Sequence, residues 1–152
     1  MASGFTNRGK YQVIGFWMRG ATIPTNFYVA LATDAATPDA DTNTFGQLTE
    51  ITAGNGYTTG GYQITLDATG VDVWSEDDTN DRALFQLADV VWTATGGPIP
   101  SADSDARWAV LLDDDGTVAN REVYIYWDLV SNRSVSDGQS LTLQDCEGRL
   151  TE

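Results

Sequence analysis

Histidine is absent from this chain of 152 residues, and lysine and cysteine occur once each, as Lys10 and Cys146. Without an imidazole, serine and cysteine triads of the usual kind cannot be assembled, nor can the common histidine-containing zinc sites. A lone thiol cannot close an internal disulfide. Cys146 is expected to serve as a small apolar side chain near the end of a strand, with pairing to another chain as the other reading. Lys10 belongs to no Ser-x-x-Lys arrangement, and neither a phosphate-binding loop nor a dinucleotide fingerprint occurs. Long apolar runs are missing as well. The first twenty residues scatter Arg8, Lys10 and Arg19 among polar and apolar groups, and nothing approaches the roughly twenty apolar residues of a membrane span. The chain is therefore expected to be made in the cytoplasm and used as synthesised.

Positive charge is scarce. Eight basic residues face 22 acidic ones, for a net charge of −14. Such a surface repels phosphate backbones and anionic membranes, so neither nucleic acid nor a membrane is an expected partner. A basic protein surface, or solubility through self-repulsion, remains. Seventeen of the acids are aspartates and seven of the eight bases are arginines, a balance of the kind seen in salt-adapted proteins. Melting temperature is accordingly expected to rise in molar NaCl, where the screening length falls to roughly 3 Å.

What is present points to one mainly β domain spanning residues 1–152. A single helix is predicted over residues 7–19, NRGKYQVIGFWMR. Tyr11, Ile14 and Met18 recur at helical spacing, Val13 and Trp17 extend the stripe, Asn7 is placed to cap the start and Gly20 to end the turn. A helix this short needs an apolar surface to dock on. After Pro24, FYVALAT (27–33) is a strand, and DAATPDADTNTFG a surface loop. YQITLD (62–67) alternates Tyr62, Ile64 and Leu66 with polar residues, and 71–74 continues the pairing. SEDDTNDR is expected as loop. Residues 83–93 hold a strand best formed at 90–93, and 108–112 reads as a central strand apolar on both faces. Residues 122–130 place Val123, Ile125, Trp127 and Leu129 on one face and Tyr124 and Tyr126 on the other, and SLTLQ (140–144) closes the set. About six to eight short strands with one helix predict an antiparallel β-sandwich, jelly-roll-like, with the helix packed on or beside it.

Chemistry-bearing clusters are few. Asp113, Asp114 and Asp115, or Glu76, Asp77 and Asp78, are the available carboxylate pairs for acid–base work, but adjacent acids in a turn are usually solvated. LDDDGTVANRE fails as a calcium loop of the EF-hand type: counted from Asp113, Gly116 stands at position 4 rather than 6, and Tyr124 occupies the position of the closing carboxylate. A looser calcium site would draw on Asp77, Asp78 and Asp81, or on Asp113 and Asp115. GNGYTTGG is a turn before a strand. No cofactor, no metal and no catalytic residue are expected. Trp92, Trp108 and Trp127 fall on strands and belong to the core, whereas Trp17 on the helix and Tyr124 and Tyr126 on the outer strand face are the candidate contact surface.

The order of segments carries a resemblance. A short helix ends in Met18-Arg19-Gly20, and a Thr-Pro connection leads to FYVALAT with its Thr-Asp loop. GNGY, VVWTATGG, WAVLLDDDG, VYIYWDL and SVSDGQSLTL then follow. From about Asn7 to Leu143 this layout resembles a family of small virion proteins of tailed phages and archaeal tailed viruses, described as tail-fibre-like or capsid-decorating. The chain departs from the pattern at GNGYTTGGYQ, which lacks the usual tyrosine-alanine-arginine step, and at Ala32, where a histidine is common. The resemblance implies a non-enzymatic structural protein on the outer surface of the particle. Its partners would be the major capsid protein, further copies of itself in a trimer, or both. A tail-fibre or carbohydrate-binding tail component is the alternative it leaves open.

Overall fold

The strand-forming runs pair into three antiparallel sheets in a computed structural model that describes residues 3–102 and 104–151. In chain order the elements are β1 (Ser3–Phe5), α1 (Asn7–Met18), β2 (Phe27–Ala32), β3 (Tyr62–Ile64), β4 (Val71–Asp77), β5 (Arg82–Leu87), β6 (Val90–Thr93), β7 (Ala106–Leu112), β8 (Val123–Arg133), β9 (Ser140–Leu143) and β10 (Cys146–Thr151). One layer is the five-stranded sheet β1-β8-β7-β2-β3. The other is split into the pair β6-β9 and the triplet β10-β5-β4. The class is the expected one, mainly β with antiparallel sheets and one helix.

Between the layers lies the principal core. Val29, Leu31, Ala109, Leu111, Ile125 and Trp127 of the large sheet meet Leu87, Val90, Trp92, Leu141, Leu143 and Cys146 of the second layer. The other face of the large sheet carries Ala30, Ala32, Trp108, Val110, Leu112 and Val123, covered by Phe45 and Leu48 from the long segment after β2. β7 is therefore apolar on both faces, as its sequence predicts.

Several expectations change in detail. The YQITLD strand stops at Ile64, because the chain turns where Thr69 donates its N–H to Asp67 and Gly70 packs on the Thr65 backbone. Residues 75–82 are not a loop: β4 runs on to Asp77, and a tight turn ending in left-handed Asp81 (φ 47°) returns the chain into β5. The predicted 83–93 strand divides into β5 and β6 at Ala88 and Asp89, so its halves join different sheets.

β8 holds two irregularities. Leu111 and Leu112 of β7 face Ile125 and Val123, so Tyr124 is the extra residue of a bulge. That insertion sends Val123 to the outer face and leaves Tyr124 on the same side as Ile125. Further along, Val130 is left-handed (φ 68°) and exposed, with its N–H bonded to Asp128 Oδ1 at 2.6 Å. A β-branched residue is strained there. Val130→Asn is expected to stabilise the protein by about 1 kcal/mol, raising the melting temperature by roughly 2–4 °C. A calorimetric scan that shows no gain would contradict the left-handed assignment.

Candidate interaction surface

Helix α1 closes one end of the sandwich, and its rotation about its own axis decides what it shows to solvent. Thr6, not Asn7, caps it: Thr6 Oγ1 accepts the Gly9 N–H at 2.9 Å and donates to the Val123 carbonyl. Gly9, without a Cβ, lies directly on the Tyr124 backbone. Those contacts turn Gly9, Gln12, Val13 and Phe16 inward, one helical stripe. Gln12 is tied to Glu122, which also pairs with Arg8 at 3.2 Å. Of the predicted stripe only Val13 faces in. Tyr11, Ile14, Trp17 and Met18 lie on the outer face, and Trp17 is 79% exposed.

Opposite the helix stands a wing made by β10, β5 and β4. In the paired register Cys146, Leu87 and Val71 form one row of its inner face, Gly148, Phe85 and Trp74 the next, and Leu150, Ala83 and Glu76 the last. The first row is in or against the core, and Gly148 and Phe85 of the second are still covered, whereas Trp74 and the last row are bare. Leu150 is exposed and Trp74 is 90% exposed. A cleft of about 650 Å³ separates helix and wing, bordered by Lys10, Ile14, Trp17, Arg149 and Leu150 among others. A second hollow of about 830 Å³, bordered by Trp74, Glu76, Asp78, Asp81 and Ala83, shares Leu150 and Thr151 with it. Isolated apolar residues on a surface are ordinary; here two bare tryptophans, Trp17 and Trp74, border hollows that share Leu150 and Thr151.

The sequence-predicted contact residues divide. Trp17 is exposed, off the stripe that docks the helix. Tyr124 is not a surface residue: it is 3% exposed, beneath α1, with its ring edge-on to Phe27 at 5.3 Å, because the bulge turns it inward. Tyr126 is half-buried, edge-on to Trp108 at 6.3 Å and pressed against Gly4 of β1. Trp92, Trp108 and Trp127 are buried, as expected. The sequence did not mark Trp74 or Leu150 as surface residues. Acids flanking Trp74 were the available signal, since a core strand seldom carries Asp72, Glu76 and Asp77 around one aromatic.

Asp77 and Asp113, two of the acids available for acid–base work, are engaged in holding the fold. Asp77 bonds Asn80 and Arg82, which keeps its carboxyl below the ordinary range. Asp113 accepts the N–H groups of Glu122 (3.0 Å) and Asp115 (3.3 Å), though burial outweighs them and raises its pKa. Among the described residues no three acid or cysteine side chains converge to hold a metal ion. The Cys146 thiol is buried at the start of β10, and desolvation followed by the charges of Asp145 and Asp89 pushes its pKa up to about 12. It is closed to pairing with another chain in this fold.

Glu50 anchors a partly buried polar cluster. Its Oε1 accepts the Tyr57 hydroxyl at 2.8 Å and the Gly60 N–H at 2.6 Å, and the same hydroxyl receives the Leu31 N–H at 3.0 Å. Arg121 donates to the Gly60 carbonyl and lies 4.0 Å from the Tyr28 ring centroid. Burial raises the Glu50 pKa despite the hydrogen bonds and the Arg121 charge that lower it. A carboxyl whose folded pKa exceeds its unfolded one stabilises fully below the unfolded value and loses that contribution as pH rises through the folded one. Glu50→Gln keeps the accepting oxygen. We therefore expect it to melt above the wild type at about pH 8 and level with it near pH 4. Parallel melts at every pH would show Glu50 to be no raised carboxyl.

No family model, no curated protein and no solved structure matches this chain.

Proposed function

We propose that this protein is a non-enzymatic structural subunit of a tailed-virus particle, a capsid-decorating (cement) protein on the outer surface of the shell. One observation carries the associative part of this reading: the large apolar side chains left bare on α1 and the wing, Trp17 and Trp74 foremost, on a chain of net charge −14. The segment order that resembles small virion proteins supports its placement. Action is by fit alone. An aromatic patch docks where major capsid subunits meet, and each copy couples its neighbours, so separating them costs more. The alternative, a carbohydrate-binding tail component, loses its proposed stacking rings, since Tyr124 is buried and Tyr126 is half-covered.

A stained gel of purified virions tests the proposal. Decoration expects this polypeptide at a copy number comparable with the major capsid protein. A few copies per particle would move it to the tail, and its absence would end the virion assignment.

A further inference from the structure

Two bare surfaces of this chain have opposite charge and matching apolar character. Residues 7–20 carry Arg8, Lys10 and Arg19 and no acid, a basic island on an acidic molecule. Residues 71–82 carry Asp72, Glu76, Asp77, Asp78 and Asp81 against Arg82 alone. Among the described residues Lys10 and Arg19 form no ion pair, and neither do Glu76, Asp78 and Asp81. The cleft keeps the chain's own helix apart from its own wing. With large aromatic side chains burying about 150–250 Å² each, the outer helix face of one copy and Trp74 and Leu150 of another would bring on the order of 800 Å² of open side chain to one contact, so complementary charge and repetition around a closed oligomer must add to the apolar fit.

We infer that the outer face of α1 seats against the inner face of the β4-β5-β10 wing of a second copy of this chain. Tyr11, Ile14, Trp17 and Met18 then meet Trp74 and Leu150, and the basic helix lies among the wing's acids. Because the two patches differ, every copy offers one of each, and the contact repeats until a symmetric oligomer closes. This inference rests on the cleft being an association surface; it does not depend on the virion assignment.

Sedimentation of the full chain at about 0.15 M and 1 M NaCl tests it, the higher salt screening the repulsion between like-charged copies. The wild type is expected to form a closed oligomer. Trp17→Glu and Trp74→Glu each weaken association by about 30-fold or more, the loss of a central aromatic anchor. Both positions are solvent-exposed, so melts of the two variants should match the wild type at a concentration low enough to dissociate it, which separates assembly from folding. An equimolar mixture of the variants retains one intact helix and one intact wing, and is expected to give a one-to-one dimer and nothing larger. A monomeric wild type at about 100 μM in both salts, an oligomer unaffected by either substitution, or a mixture that stays monomeric overturns the pairing. A monomer abundant in virions would sink this inference alone, whereas a stable oligomer missing from virions would sink only the proposed function.

Discussion

Valine in place of Gly9 is expected to cost about 3 kcal/mol or more of stability, while alanine in place of Gly15, in the same helix, adds roughly 0.5–1 kcal/mol. A Cβ at position 9 would overlap the Tyr124 carbonyl oxygen and stand 2.8 Å from the Tyr124 Cα. Both are backbone atoms of β8, a strand paired on either side, and cannot swing away. The helix must lift instead. Val13 and Phe16 then leave the apolar cavity of about 230 Å³ that they line with Phe5, Phe27 and Phe85. Exposing a valine and a phenylalanine loses roughly 1.5–3 kcal/mol each, discounted because both are only partly buried. At Gly15 the nearest atom is the Ala21 Cβ at 3.4 Å, so alanine fits and gains helix propensity. Urea denaturation of both variants measures the contrast. If Gly9→Val unfolds within about 0.5 kcal/mol of the wild type, the orientation of the helix is wrong, and with it the outward display of Trp17.

Removing the Trp127 side chain is expected to be as damaging. Trp127 is fully buried between the two layers, and its Nε1–H donates to the Glu147 carbonyl at 2.8 Å, tying β8 to β10. Trp127→Ala should cost about 3–5 kcal/mol through lost burial and the cavity left behind. Since a domain holds only about 5–15 kcal/mol in all, the melting temperature should fall by roughly 10 °C or the fold fail at physiological temperature. Trp127→Phe separates the contributions: it keeps most of the ring contacts but leaves the Glu147 carbonyl unpaired, at about 1–3 kcal/mol. Calorimetry on the pair decides. A change under about 1 kcal/mol for alanine would mean the two layers do not close on this ring.

Helix rotation, strand faces and the wing show where local pattern stops. Tyr11, Ile14 and Met18 have textural helical spacing, yet the docked stripe is Gly9, Gln12, Val13 and Phe16. Apolar count favours the first stripe; close approach to the Tyr124 backbone, possible only at a glycine, selects the second. Alternation in residues 122–130 assigns Tyr124 to the face opposite Ile125. One extra residue in β8 puts them together, because a single-residue shift exchanges the two faces of a strand. Trp74 was legible as a strand residue but not as a bare one, since its exposure depends on β4 lying at the edge of its sheet, a pairing no local pattern specifies.

The sequence by itself determined the mainly β class with one N-terminal helix, the placing of Trp92, Trp108 and Trp127 in the core, and the acidic surface. Those properties follow from short-range periodicity and composition, which every segment carries within itself. Only the tertiary structure decided that Trp17 and Trp74 are both bare while Tyr124 is sealed beneath the helix. The helix angle, the bulge and the edge position of β4 arise from contacts between segments distant in the chain, and no local pattern encodes them.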